Sequence, residues 1–163
     1  MIRKLFVAIV LLSGVCASDL YAWDSVKVLK VIDAETLLTD YQGQEETLYL
    51  LGIDSPKASP ENTAGKSSKY IDALKDKEKE AYKFTKSLVK NGDILLLDFD
   101  KRKYDKAHRF VGYVYFKNGK MLNEEIIEAG YSRVALEPPN NKFESRFLDD
   151  YRRARENRRG MWK

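Results

Sequence analysis

The chain has 163 residues, 44% of them apolar, which allows one packed domain and leaves two cramped. Its 29 basic and 25 acidic side chains give a net charge of +4, too even a balance to mark a polyanion binder by composition alone. A single cysteine, Cys16, and a single histidine, His108, exclude an internal disulfide, a zinc cluster and a cysteine–histidine nucleophilic centre.

Residues 1–22 read as a secretory signal peptide. Arg3 and Lys4 form a positive start, Leu5 to Leu12 is an uncharged apolar run, and small residues follow at Ser13, Gly14 and Ala17, with cleavage expected after Ala17 or Ala22. A retained membrane anchor is the alternative, but the run is short for a bilayer and no stop-transfer segment follows it. Val15 before Cys16 matches a lipid-attachment signal poorly. The expectation is an exported chain, periplasmic or extracellular, in which residues 23–163 form the domain. That domain should be a monomer with no stable membrane association once the leader is removed.

Val26 to Ile32, β-branched or apolar with Lys27 and Lys30 interleaved, predicts a first strand. Leu37 and Leu38 begin a second, which the turn cluster Asp40-Tyr41-Gln42-Gly43 should end. Thr47 to Ile53 is nearly all apolar and predicts a third strand, buried on both faces or forming a barrel wall. Ser55 to Ser68, rich in Pro, Ser, Gly and Asn, has no periodicity and reads as a surface loop. Tyr70 to Lys90 carries Leu74, Ala81, Phe84, Leu88 and Val89 between charges and stops at Asn91-Gly92, an amphipathic helix with one buried stripe.

Asp93 to Asp100 and Phe110 to Phe116 are strands four and five, joined by a charged loop from Lys101 to Arg109 that leaves His108 in solvent. Asn118-Gly119 turns into a short helix whose end, Gly130, suits a left-handed position. A last helix runs from about Lys142 to Asn157, with Asn141 and Glu144 spaced as a capping box and Phe143, Phe147, Tyr151 and Ala154 along one apolar face. Arg152, Arg155 and Arg159 on another face read as a solvated surface, because Glu144, Asp149, Asp150 and Glu156 dilute them. Three strands, a helix, two strands and two helices suit an α+β fold, a five-stranded OB-type barrel with about three helices packed on it.

Three clusters carry chemistry. Asp33-Ala34-Glu35-Thr36 lies between strands one and two, Gly52-Ile53-Asp54-Ser55-Pro56 ends strand three, and Asp105-Lys106-Ala107-His108-Arg109 leads into strand five. Together with Gly119-Lys120-Met121-Leu122-Asn123-Glu124, Pro139-Asn140-Asn141 and Gly160-Met161-Trp162, in this order, the chain from Val26 to Trp162 resembles the staphylococcal nuclease (thermonuclease) family.

That resemblance implies a site hydrolysing phosphodiesters with one calcium ion, a glutamate that handles the attacking water and two arginines on the phosphate. Hard oxygen ligands suit calcium, and fixed cations stabilise charge developing on the equatorial oxygens. Carried over by position, the metal set is Glu35, Asp54 and the Ser55 carbonyl, with Glu35 standing for an aspartate and therefore weakening the calcium site. Arg109 matches one arginine. Tyr49 stands where the second should be, and Lys57 where the catalytic glutamate should be. Surface-turn carboxylates without an ion, and a plain salt bridge at Arg109, are the alternatives.

An ammonium is no general base near neutral pH unless its pKa is strongly depressed. Glu61, the next carboxylate downstream of Lys57, is unpositioned by the sequence. Loss of a positioned base costs about 10²–10⁴ in rate and loss of one charge-stabilising donor about 10²–10³. The expected function is a weakly active or inactive module binding nucleic acid or another partner. The alternative is a calcium-dependent endonuclease with a rearranged site. Ala107 and the loop Leu136-Glu137-Pro138-Pro139 also lack the aromatic residues on which the family packs a base.

Overall fold

The computed structural model describes residues 23–163, so the expected signal peptide, residues 1–22, and Cys16 lie outside the described part. β1 (Asp24–Val31) turns Val26, Val28 and Val31 inward, and an irregularity between Val28 and Lys30 resets its pairing with β2 (Thr36–Tyr41). β2 runs through the residues expected to form a turn. Only Gln42 and Gly43 turn, both at positive φ, which is the two-residue geometry that matches strand twist and leads straight into β3 (Gln44–Leu50).

The expected third strand, Thr47 to Ile53, divides in two. Gly52, with φ of +83°, bends the chain between β3 and β4 (Ile53–Asp54); a Cβ there would come within 2.7 Å of the Phe147 ring. β4 pairs with β7 (Arg133–Val134), a two-residue strand with no periodicity to betray it. β5 (Ile94–Asp98) pairs antiparallel with β1 and with β6 (Phe110–Tyr115), and β6 runs parallel to β3, closing a barrel in the order β1-β2-β3-β6-β5. The fold is therefore the expected α+β type. All six β6 residues are buried because helices cover the outer face of that strand, which is why its sequence runs apolar instead of alternating.

The stretch after β4 is not wholly irregular, since Pro60–Thr63 forms one helical turn, α1. The long helix α2 (Ser68–Leu88) begins at Ser67, whose hydroxyl accepts the Tyr70 amide at 3.3 Å, and buries Ala81 and Thr85. Thr85 donates to the Ala34 carbonyl at 2.8 Å, pinning the β1–β2 turn to the helix. Asn123, fully buried in α3 (Leu122–Glu128), accepts the Val114 amide at 3.0 Å and donates to the Leu51 carbonyl at 2.9 Å, holding the end of β3 to β6.

In α4 (Glu144–Glu156) the apolar stripe is as read, with Phe147 and Ala154 buried. The capping box is not formed: Phe143 is the N-cap, and Glu144 donates its amide to the Asn141 backbone carbonyl. The chain is committed elsewhere, because the Lys142 amide binds the Asp100 carboxylate at 2.7 Å. Asp150 is buried in the same helix, where burial and the adjacent Glu124 push its pKa up to about 6. Gly130 does take a left-handed φ of +80°. It packs backbone to backbone against the 3₁₀ turn Gly160–Trp162, with a Met161 amide to Gly130 carbonyl bond of 2.9 Å. Among the described residues no helix is long and apolar enough to cross a membrane.

Candidate active site

The three clusters converge at one end of the barrel, and the β1–β2 turn organises the first half. Asp33 accepts the Glu35 amide at 2.9 Å, and the Glu35 carbonyl accepts the Leu50 amide at 2.8 Å, so the turn is fixed to the end of β3. Glu35 points at the chain leaving β4: one carboxylate oxygen accepts the Ser55 amide, and the other lies 2.6 Å from the Lys57 ammonium. The same ammonium is 3.2 Å from Asp33. Burial pulls the Lys57 pKa down, but hydrogen bonding and the charges of Glu35 and Asp33 outweigh it and leave it raised. Burial likewise lifts the Glu35 carboxyl, offset only in part by Lys57 and the Ser55 amide.

Lys57 is not a loose surface arm. Its carbonyl accepts the Asn62 side-chain amide at 2.9 Å, and the next amide, that of Ala58, binds Glu78 of α2 at 3.2 Å. Asp54 is exposed, with its amide on the Ser132 hydroxyl at 2.9 Å. Glu61 lies exposed in the first turn of α1, its pKa lowered by its own amide and the Ser59 hydroxyl, so its partners are local.

The second half of the site is the mouth of the loop before β6. Arg109 reaches Asp105 at 2.5 Å through Nε and Glu137 at 3.2 Å through a terminal nitrogen, and its guanidinium lies 5.0 Å from the centre of the Tyr49 ring. Burial raises the Asp105 pKa, yet hydrogen bonds from the Arg109 backbone and side chain, with its charge, bring it below the ordinary value. A cleft of about 20 Å³, room for one water, is lined by Glu35, Tyr49, Arg109 and Glu137 and joins the two halves. Tyr49, Arg109 and Glu35 thus share one cleft, Lys57 and Ser55 adjoin it through Glu35, and Asp54 lines a neighbouring cleft of about 270 Å³ with Ser55 and Lys57.

Three carboxylates were given no role from sequence. Asp33 shares the ammonium; its position two residues before Glu35 was the available signal. Asp105 and Glu137 compete for Arg109, and only Asp105, four residues earlier, could have been suspected. Tyr104 is exposed and, with Arg102, Arg109, Leu136 and Pro138, lines a larger cleft of about 290 Å³. It supplies an aromatic face where the loop and Ala107 supply none. His108 is exposed, as read.

The donor set does not suit calcium, which takes six to eight oxygens. Both Glu35 oxygens and both Asp33 oxygens already have partners, and the group lying between the two carboxylates is a protonated amine. Among the described residues no three His, Cys, Asp or Glu side chains gather where they could hold a metal ion.

Residues 47–163 match the family model of staphylococcal nuclease homologues. The thermonuclease of Staphylococcus hyicus is 29% identical over 83% of this chain and 74% of its own length. An uncharacterized protein of Methanocaldococcus jannaschii is 31% identical over 83% of this chain and 70% of its own. Endonuclease YncB of Bacillus subtilis is 30% identical over 85% of this chain, which spans 61% of that relative.

Proposed function

The chain belongs to the staphylococcal nuclease family, and from that premise we propose that it is an exported domain that binds single-stranded nucleic acid at the Arg109 cleft and hydrolyses phosphodiesters slowly or not at all. One observation carries the reading: Lys57, at the family's glutamate position, is an ion-paired ammonium whose pKa is raised. It has no lone pair with which to take a proton from water. Glu35 cannot stand in, since both of its oxygens are engaged. Arg109 remains as a phosphate donor, and Tyr49 beside it offers one neutral hydroxyl in place of a second bidentate cation.

Binding is supported by the larger cleft, where the exposed Tyr104 ring lies near Arg109, Arg102 and Lys106. An aromatic platform flanked by cations suits an unpaired base and its phosphate. A fluorescent single-stranded oligonucleotide should bind with an affinity that falls as salt rises, and Tyr104→Ala should weaken it by about tenfold, the scale of one stacked base. Salt-insensitive binding, or no binding at low ionic strength, would refute the reading.

The second reading, a calcium-dependent endonuclease, draws on the relatives named thermonuclease and endonuclease and on the exposed Asp54 carboxylate. It requires Lys57 to leave Glu35. Incubation with calcium and a fluorogenic DNA substrate separates the two: vigorous cleavage lost in Asp54→Asn and with chelator would establish the enzyme. Export rests on the leader-like residues 1–22 and is checked by the mature N-terminus of secreted material.

A further inference from the structure

The position that the family reading reserves for a divalent ion holds a side chain of the protein itself. The ammonium of Lys57 lies 2.6 Å from Glu35, at the upper end of a calcium–oxygen contact, and 3.2 Å from Asp33, an ordinary ion-pair distance. The exchange is also charge-equivalent: replacing a glutamate with a lysine removes one negative charge and adds one positive, together the formal charge of one calcium ion. Two further contacts keep the amine in place. The Lys57 carbonyl is held by Asn62 and the following amide by Glu78 of α2, so the peptide unit that follows its Cα is fixed from both faces. Glu35 is correspondingly withdrawn from solvent, with its second oxygen on the Ser55 amide.

From this geometry we infer that Lys57 is a built-in counter-ion that replaces the metal, so that the site is assembled and electrically balanced without calcium. This rests on the family reading of the site but not on nucleic-acid binding, and its test contains no nucleic acid, so the two can fail separately.

The experiment uses the full chain with calcium and terbium as probes. By calorimetry the wild type should show no saturable calcium binding with a Kd below about 1 mM, the weak end of natural calcium sites. Its melting temperature should be the same in chelator and in calcium. Lys57→Gln leaves Glu35 and Asp33 without their cation; sensitised terbium luminescence should then report a Kd at least about tenfold lower than for the wild type, because calcium-type sites tighten with ligand charge. This variant should also melt lower in chelator and recover on adding calcium. Lys57→Arg should behave as the wild type. Saturable calcium binding by the wild type at sub-millimolar Kd would overturn the inference even if Lys57→Gln failed to fold. So would a folded Lys57→Gln chain, judged by circular dichroism, that bound terbium no better than the wild type.

Discussion

Two cations, each facing two carboxylates, behave differently. Lys57 is 31% exposed and meets Glu35 at 12%, whereas Arg109 is 42% exposed and shares its charge with Glu137 at 36%. Exposed pairs are worth little and exchange readily with water or another anion. Withdrawn pairs are costly to open, because each partner left alone is poorly solvated. Arg109 can therefore trade Glu137 for a phosphate, while Lys57 is committed to the protein. One half of the site is a contact surface and the other has become part of the frame.

The strongest way to break this contrast is through the backbone that supports the withdrawn half. Gly52→Ala forces a left-handed alanine and drives its methyl into the Phe147 ring, and should cost roughly 2–4 kcal/mol in urea unfolding. Glu35→Gln leaves Lys57 facing Asp33 alone and should cost about 2 kcal/mol, below a fully buried pair because the ammonium is partly solvated.

The two halves should also fail at opposite ends of the pH scale. The raised Lys57 pKa means that its contribution is complete below about 10.5 and is lost as pH rises through the higher folded value. The lowered Asp105 pKa means that its contribution is present above about 3.8 and is lost as pH falls through the lower folded value. Melting temperature against pH should show the alkaline loss disappear in Lys57→Gln and the acid loss shrink in Asp105→Asn. The smallest effect sharpens the comparison most. Glu137→Gln should change stability by no more than about 0.5 kcal/mol, yet raise affinity for single-stranded DNA a few-fold by freeing Arg109 of a competing anion. Equal stability losses for Glu35→Gln and Glu137→Gln would erase the distinction.

Much of this was legible in the chain. Periodicity was enough for the barrel strands and the helices, since burial on one face imposes it directly, and the order of the three charged clusters pointed to the site. What escaped was set by pairing between distant segments. β4 and β7 are two residues each, too short for a period. The Asn141–Glu144 spacing lost out to Asp100, more than forty residues earlier, which draws the Lys142 amide to itself. At the site, sequence named Lys57 as a missing base; only the fold shows where its charge went.

The pair Gly130 and Gly160 has a consequence for how the molecule is made. Gly130 leaves space only for the Arg159 backbone and Gly160 only for the Ala129 and Gly130 backbone, and the Met161 amide closes the contact. A ribosome-bound chain can zip up its barrel strands once β6 has emerged, yet this clasp must wait until residues 160–162 are synthesised. Until then the backbone around Gly130, just past the end of α3, lacks its cover.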